Sequence, residues 1–301
     1  MLRPLKNLVP QVLKNYFYHL PQAILANRHF HYPSRKLKII GVTGTSGKTT
    51  TSHLIYHLLN ENGFKVALIS TIAAKIGNEE LDTGLHVTNP EPYALQQLLL
   101  TIANKGFKYV VLEVTSHGLD QFRTWGIKFD YGVITNITHE HLDYHRSMPR
   151  YRQAKFRLLN QSRVAVLNRH DASLPLAQAK LKKPPLIFDQ ETVEVIPETL
   201  PGDFNKANVA AAQAVALDLK LTQKDINQAL KSFPGIPGRM EIVLKKPFTV
   251  VVDFAHKPDA LEKALLSLRA LTKPGGKTIV VFGSAGLRDF LKRPIMGGIA
   301  A

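Results

Sequence analysis

Three stretches of this 301-residue chain carry side chains of the types and spacing that suit chemistry at a phosphate. The first is "GVTGTSGKTT", Gly41 to Thr50. Its glycines let backbone N–H groups approach an anion, Lys48 can reach β- and γ-phosphates, and the Thr49 hydroxyl can ligate Mg²⁺. The usual spacing G-x-x-x-x-G-K-[ST] asks for glycine at position 42, where this chain has Val42. The second stretch, "LEVTSHGLDQFR" (112–123), places Glu113 at the end of an apolar run. Mg²⁺ is usually held by one or two carboxylates plus phosphate oxygens, so Glu113 is either a metal ligand or a solvated strand-end carboxylate. Ser116, His117 and Arg123 follow in a loop placed to meet a substrate. The third stretch, "TNITHEHLDYH" (135–145), gathers His139, Glu140, His141, Asp143 and His145. That cluster suits a metal, a proton transfer or a polar surface loop. Lys155, in "YRQAKFRLL", reads by composition as a helical lysine on a solvated face.

The elements around these stretches decide whether they converge. "LKIIGV", "KVALIST", "KYVVLEV", "YGVITNI" and "RVAVLN" are short β-branched runs, separated by helical stretches such as "TTSHLIYHLLNENG" and "PYALQQLLLTIANKG". This alternation predicts an α/β fold, a mainly parallel sheet with helices on both faces, over residues 37–235. In such sheets ligands bind at the carboxyl ends of the strands, where all three stretches fall. A glycine loop between the "KIIGV" strand and a helix N-terminus is then an anion site for a nucleoside triphosphate. "PGIPGR" (234–239) reads as a linker. Beyond it, the strands "FTVVVDF" and "KTIVVFG" flanking the helix "PDALEKALLSLRAL" predict the start of a Rossmann-like α/β unit over 236–301. Residues 1–36 are basic and proline-interrupted, and Val12, Leu13, Tyr16, Phe17 and Leu20 recur at helical spacing. That segment is a helix docked on the main body or an interfacial contact with anionic lipid.

Composition narrows the chemistry further. The chain has no cysteine, which excludes disulfides, thiolate zinc sites and cysteine nucleophiles and is compatible with a reducing cytoplasm. A net charge of +16 suits polyanions, whether nucleic acid, anionic lipid or a polyanionic small substrate. No run of about 18 apolar residues predicts a transmembrane helix, and the first 20 residues lack a signal-peptide pattern.

In order and spacing, "GVTGTSGKTT", "EVTSHGLDQFR", "TNITHEHLDYH", "YRQAK", "GDFNKANVAAA", "PGRME", "VVDFAHKPDAL" and "FGSAGLRDFLKRPIMG" resemble the motifs of the Mur ligases. The likeness is nearest to the muramoyl-dipeptide branch, which adds the third residue of the peptidoglycan stem peptide. In that family the loop is written T-G-T-x-G-K-T, so Val42 fits. The resemblance implies a cytoplasmic, ATP-dependent ligase in which a muramoyl-peptide carboxylate becomes an acyl phosphate and is then attacked by an amino-acid acceptor, with no nucleic-acid partner. It implies that Gly44, Thr45, Gly47, Lys48, Thr49 and Thr50 hold the ATP phosphates, Asn205 and Asn208 lie near adenine, and Arg239 and Asp253 reach phosphates and ribose. Thr49, Glu113, His141 and Lys155 would surround two Mg²⁺ ions, Lys155 as a carbamate formed with CO₂. Lys48, Lys155 and His141 are then the catalytic set. "HVTNPEP" (86–92) is similar to the family's substrate loop, so Thr88 and Asn89, with Ser116 and Arg123, are the expected substrate contacts, Asn89 replacing the usual threonine.

Three departures accompany the resemblance. Only about 36 residues precede the ATPase region, so the family's uridine-gripping N-terminal domain is expected to be missing, and the carrier is either held differently or is a lipid met by residues 1–33. Ala285 and Leu287 stand where glycine and aspartate are usual, and the chain stops before the region that selects the acceptor. Folylpolyglutamate and cyanophycin synthetases share the ATPase pattern and are the alternative ligases; a non-catalytic nucleotide- or nucleic-acid-binding protein is the alternative of another class.

Overall fold

A computed structural model describes residues 9–81, 88–284, 290 and 292–301. Ala285 and Leu287 lie outside these described residues. The chain opens with α1 (Gln11–Lys14), a π-helical turn over Asn15–His19 and α2 (Leu20–His29). The helix docks through small and amide residues: Ala23 and Ala26 are fully buried, Asn15 Nδ2 donates to Asp120 Oδ2 at 2.7 Å, and Asn27 Nδ2 to the Trp125 carbonyl at 2.7 Å. The face carrying Val12, Leu13, Tyr16 and Phe17 is exposed, Phe17 at 78%. Helical spacing finds an apolar face, but specific amide bonds chose the opposite one for docking.

An eight-stranded sheet follows. β1 (Lys38–Thr43) leads into α3 (Lys48–Glu61), β2 (Val66–Ile69), β3 (Ala74–Ile76) and β4 (Glu79–Leu81). Then come α4 (Pro92–Asn104), β5 (Tyr109–Glu113), α5 (Ser116–Asp120), β6 (Phe129–Ile134), α6 (Leu142–His145), α7 (Met148–Asn160), β7 (Ser162–Asn168), α8 (Leu174–Gln178) and β8 (Leu186–Phe188). The strand order is β4-β3-β2-β5-β1-β6-β7-β8, parallel from β2 to β8 with β3 and β4 antiparallel at one edge. Five of the sheet's six parallel strands, β1, β2, β5, β6 and β7, are the predicted ones. The short edge strands and β8, of three residues each, carry too little periodicity to stand out in sequence.

Both faces are covered, as the parallel part of the sheet requires. Val42, Leu54, Leu58, Val111 and Val133 pack on one face with Val209, Ala212 and Val215 of α9 (Phe204–Asp218) and Leu230 of α10 (Gln223–Lys231). Ile39, Ile69, Leu112 and Phe129 pack on the other with Leu95 and Leu99 of α4. The alanine-rich face of α9 lets it lie close to α3, bringing Asn205 and Asn208 to the glycine loop.

Past residue 235 the chain forms an antiparallel hairpin, β9 (Glu241–Leu244) with β10 (Val250–Val252), then α11 (Pro258–Leu271) and α12 (Lys292–Ala300). Among the described residues the expected strand at 277–283 has no ladder partner and is not formed, and Ile279 and Val281 stand 88% and 95% exposed. A strand needs a neighbour to receive its backbone groups, and the hairpin supplies none.

Candidate active site

Val42 occupies the position where a glycine was the usual expectation because β1 continues through it. It is fully buried and paired with Glu113 on β5 and Val133 on β6. The loop therefore begins two residues later, at Gly44. A Cβ at Gly44 would lie 1.8 Å from Thr135 Oγ1, and one at Gly47 would lie 2.1 Å from Asn208 Oδ1, so neighbouring side chains close over both positions. Gly47 also takes a left-handed φ of 80° as it caps α3, a conformation glycine adopts without strain. The loop is pinned from behind: Thr45 N donates to the Asn136 carbonyl and Ser46 N to Asn136 Oδ1, both at 2.9 Å. Thr45 Oγ1 meets the Tyr151 hydroxyl at 3.0 Å.

Lys48 lies across this loop, its Nζ donating to the Gly44 and Thr45 carbonyls at 3.1 and 3.0 Å. Enclosure by protein pushes its ammonium down to about 8, opposed by the nearby Glu113 carboxylate. Lys155 is not on a solvated face. It is buried at 1% exposure, its Nζ donates to the same Gly44 carbonyl at 2.7 Å, and burial lowers it well below the ordinary lysine range, with Lys48 adding to the shift. Desolvation favours the uncharged form of an amine, and that form is the nucleophile.

Glu113 is buried, as Thr49 is. Its Oε1 accepts from Thr49 Oγ1 at 3.0 Å and its Oε2 from Thr71 N at 3.0 Å. This juxtaposes a carboxylate and a hydroxyl, the hard oxygen donors Mg²⁺ prefers. His141 sits nearby with a left-handed φ of 53°, its ring 4.8 Å from that of His117. Burial pushes it down to about 3, with His117 and neighbouring cations contributing, so its imidazole is neutral and able to ligate. Among the described residues no group of three or more His, Cys, Asp and Glu forms a complete metal cage. The donors fit an ion completed by phosphate oxygens, the ordinary arrangement for Mg²⁺.

The substrate-loop residues divide. Thr88 faces the cavity and accepts from Thr71 Oγ1 at 2.9 Å. Asn89 is buried at 1% exposure, its Nδ2 donating to the Glu113 carbonyl at 2.8 Å while its Oδ1 accepts from Thr115 N and Oγ1 at 2.7 and 2.8 Å. Ser116 is turned inward to His145 Nε2 at 3.0 Å. Arg123 faces the cavity, held by the Asn89 carbonyl at 2.6 Å, Glu91 at 2.7 Å and Gln121 at 3.1 Å. Thr115 and Gln121, which lie in the same motif but which residue type alone does not mark, line the wall in their place. Thr71 was missed because it lies in an unremarkable turn.

From the other side come Arg239, stacked 4.7 Å over Phe254, and Asp253, which accepts from Met240 N at 2.8 Å. Asn205 and Asn208 are linked at 2.9 Å. These residues, with Gly47, Lys48, Thr49, Thr50 and Glu113, line one cavity of about 570 Å³, a volume typical of small-molecule sites.

Residues 42–188 match the family model for the Mur ligase middle domain, and residues 238–301 that for the Mur ligase, glutamate ligase domain. The UDP-N-acetylmuramoyl-L-alanyl-D-glutamate–2,6-diaminopimelate ligase of Bacillus cereus is 36% identical, over 99% of this chain and 67% of its own length. The chain belongs to the Mur ligase family. The correspondingly named proteins of Clostridium perfringens and Thermosynechococcus vestitus are 35% and 38% identical over 92% of this chain, which spans 63% and 61% of their lengths. A solved structure of a ligase of the same name superimposes with a TM-score of 0.69 at 28% identity, covering 94% of this chain and 64% of that one. Escherichia coli FolC, solved with DHPP and ADP, shares the fold with a TM-score of 0.67 at 21% identity. As a Mur ligase, the chain spans somewhat under two thirds of most of these curated relatives.

Proposed function

We propose that the chain carries the ATPase half of an amide-bond ligase acting on a muramoyl-peptide carboxylate and an amino-acid acceptor. One observation carries the reading. Lys48, Thr49 and Glu113 line a cavity that also takes Arg239 and Asp253 from the two ends of the hairpin, with Lys155 buried against the Gly44 carbonyl behind it. ATP phosphates would lie on the backbone of Gly44–Thr50 with Lys48 moving onto them from its carbonyls. Asn205 and Asn208 would border the adenine, and Arg239 and Asp253 the phosphates and ribose. Thr49, Glu113, His141 and a carbamate on Lys155 would hold two Mg²⁺ ions, which when bound offset the charge that develops on the transferred phosphoryl group. Burial favours the uncharged form of Lys155, the form able to add CO₂ at Nζ.

The substrate carboxylate takes the γ-phosphoryl group, releasing ADP. The acceptor amine then adds to the acyl phosphate, and loss of phosphate and a proton leaves the amide. Lys48 stabilises the charge by electrostatics, and no protein nucleophile is needed. Thr88 and Arg123 are placed to orient the carboxylate substrate, Thr115 and Gln121 beside them, while Asn89 and Ser116 support that wall from within. Phosphate release dependent on both UDP-MurNAc-dipeptide and an amino acid supports the reading. Release with a folate instead moves the chain to the folylpolyglutamate type, and steeply salt-dependent DNA binding without turnover makes it a non-catalytic binder.

The exposed row Val12, Leu13, Tyr16 and Phe17 favours one further part of the proposal, a peripheral contact of residues 1–33 with anionic lipid. Unchanged liposome flotation after deletion of residues 1–33 contradicts it.

A further inference from the structure

The cavity has a second lysine that the phosphate reading leaves unused. Lys257, the residue before α11, lies on the wall opposite the glycine loop. Its backbone is fixed, since its carbonyl accepts the first helical bond from Leu261 N at 2.9 Å and Pro258 follows it. Its side chain reaches Glu140 on the histidine-rich loop, with Nζ 3.2 Å from Oε2. The other cations on that wall are engaged on their own side: Lys263 pairs with Asp259 one turn away, and Arg239 lies over Phe254. Lys257 alone among these three reaches the histidine-rich loop, where Glu140 Oε1 also lies 3.9 Å from His141 Nδ1.

The pair is mostly covered, with side-chain exposures of 20% and 24%, so its attraction is offset by the cost of holding both charges out of water, and a more highly charged partner can displace the carboxylate. A triphosphate entering between Lys48 and Lys257 offers several negative oxygens to an ammonium that already faces them. The field of Lys257 reaches the loop without a ligand present, since its charge is among those lowering Lys48, Lys155 and His141.

We propose that Lys257 is a catalytic residue of this chain: on binding of a nucleoside triphosphate its ammonium leaves Glu140 and takes a terminal phosphoryl oxygen, clamping the phosphates against Lys48 from the opposite wall. This rests on the nucleoside triphosphate reading of the cavity. The exchange transfers no proton and breaks no covalent bond. It draws the segment after residue 253 toward the loop as the nucleotide binds, and it frees Glu140 next to His141.

The test is calorimetric binding of Mg·ATP and of its non-hydrolysable imido analogue to the 301-residue chain and to Lys257→Met, Lys257→Arg, Glu140→Gln and Lys48→Ala, with thermal melts as the folding control. Losing a charge-assisted phosphate contact is expected to raise the dissociation constant of Lys257→Met at least about tenfold. Lys257→Arg should stay within about threefold of the parent, because a guanidinium also binds phosphate. Glu140→Gln, which releases Lys257 without removing it, should bind as tightly as the parent or tighter. If Glu140→Gln loses as much affinity as Lys257→Met, Lys257 is a strut between two segments and the proposal falls. If Lys257→Met binds within about twofold of the parent while Lys48→Ala does not bind, the proposal falls and the phosphate reading stands. If both variants bind like the parent, the phosphate reading falls and takes the proposal with it.

Discussion

Replacing Asn89 by alanine removes three hydrogen bonds of 2.7 to 2.8 Å at a residue 1% exposed. Thr115 N and Oγ1 lose their acceptor, and the Glu113 carbonyl loses a donor. The vacated space lies against Gly118, where a Cβ would sit 2.3 Å from Asn89 Oδ1, so the surrounding backbone is packed too tightly to close the gap easily. Buried polar groups left without a partner cost about 1–3 kcal/mol each. The lost bonds and the small cavity together give an expected loss of about 2–4 kcal/mol. With a urea m-value of about 3 kcal/mol/M, this moves the unfolding midpoint down by about 1 M. The same change loosens the end of β5, where Glu113 holds Thr49 and Thr71, so kcat should fall about tenfold while the KM for nucleotide changes little. Asn89→Thr, which returns a hydroxyl acceptor, should recover about half of the stability. Urea denaturation followed by tryptophan fluorescence reads the effect. A midpoint within about 0.2 M of the parent for Asn89→Ala would refute the assignment of Asn89 as the tie between the substrate loop and β5.

Acid should destabilise the fold through buried histidines. Burial pushes His53, hydrogen-bonded to Ser70 at 3.3 Å, down to about 3. Below about pH 6.5 the unfolded chain binds a proton that the folded chain does not, so stability falls as pH drops from about 6.5 toward 3. His53 alone should contribute a loss of about 2 kcal/mol at pH 5, and His53→Gln should flatten the profile measured by urea titration between pH 5 and 7. Glu113→Gln, which removes the charge facing Thr49, should raise the Mg²⁺ concentration for half-maximal phosphate release about ten- to a hundredfold; an unchanged Mg²⁺ titration contradicts its role as a ligand. Incubation with ¹³C-bicarbonate should give a carbamate carbon resonance that Lys155→Ala abolishes, and a signal that survives the substitution places the carbamate elsewhere.

The parallel sheet was legible because five β-branched runs alternate with amphipathic helices, and a doubly covered sheet has no other use for that pattern. The phosphate loop was legible only in context. Val42 looked like a defect by spacing, but it is a buried strand residue paired with Glu113, and Gly44 takes up the turn after it. Composition misread Lys155, because nothing local says that Tyr151 and the glycine loop enclose it; family resemblance supplied what periodicity could not. That the apolar face of the N-terminal helix points outward is not legible in its spacing, since docking depends on two asparagines whose partners lie about 100 residues away. Asn89 and Ser116 illustrate the limit at the site itself. A motif gives the residue type near a substrate, but which of two neighbouring side chains faces the cavity depends on the backbone turn that carries them.

Mass spectrometry of the products formed with ATP, Mg²⁺, UDP-MurNAc-dipeptide and a panel of amino acids tests the central claim most directly. The account predicts ADP, phosphate and a muramoyl-peptide extended by one amino acid through a new amide bond, all three lost together in Lys48→Ala. ADP formation with no extended peptide for any amino acid, or extension that survives Lys48→Ala, would contradict it.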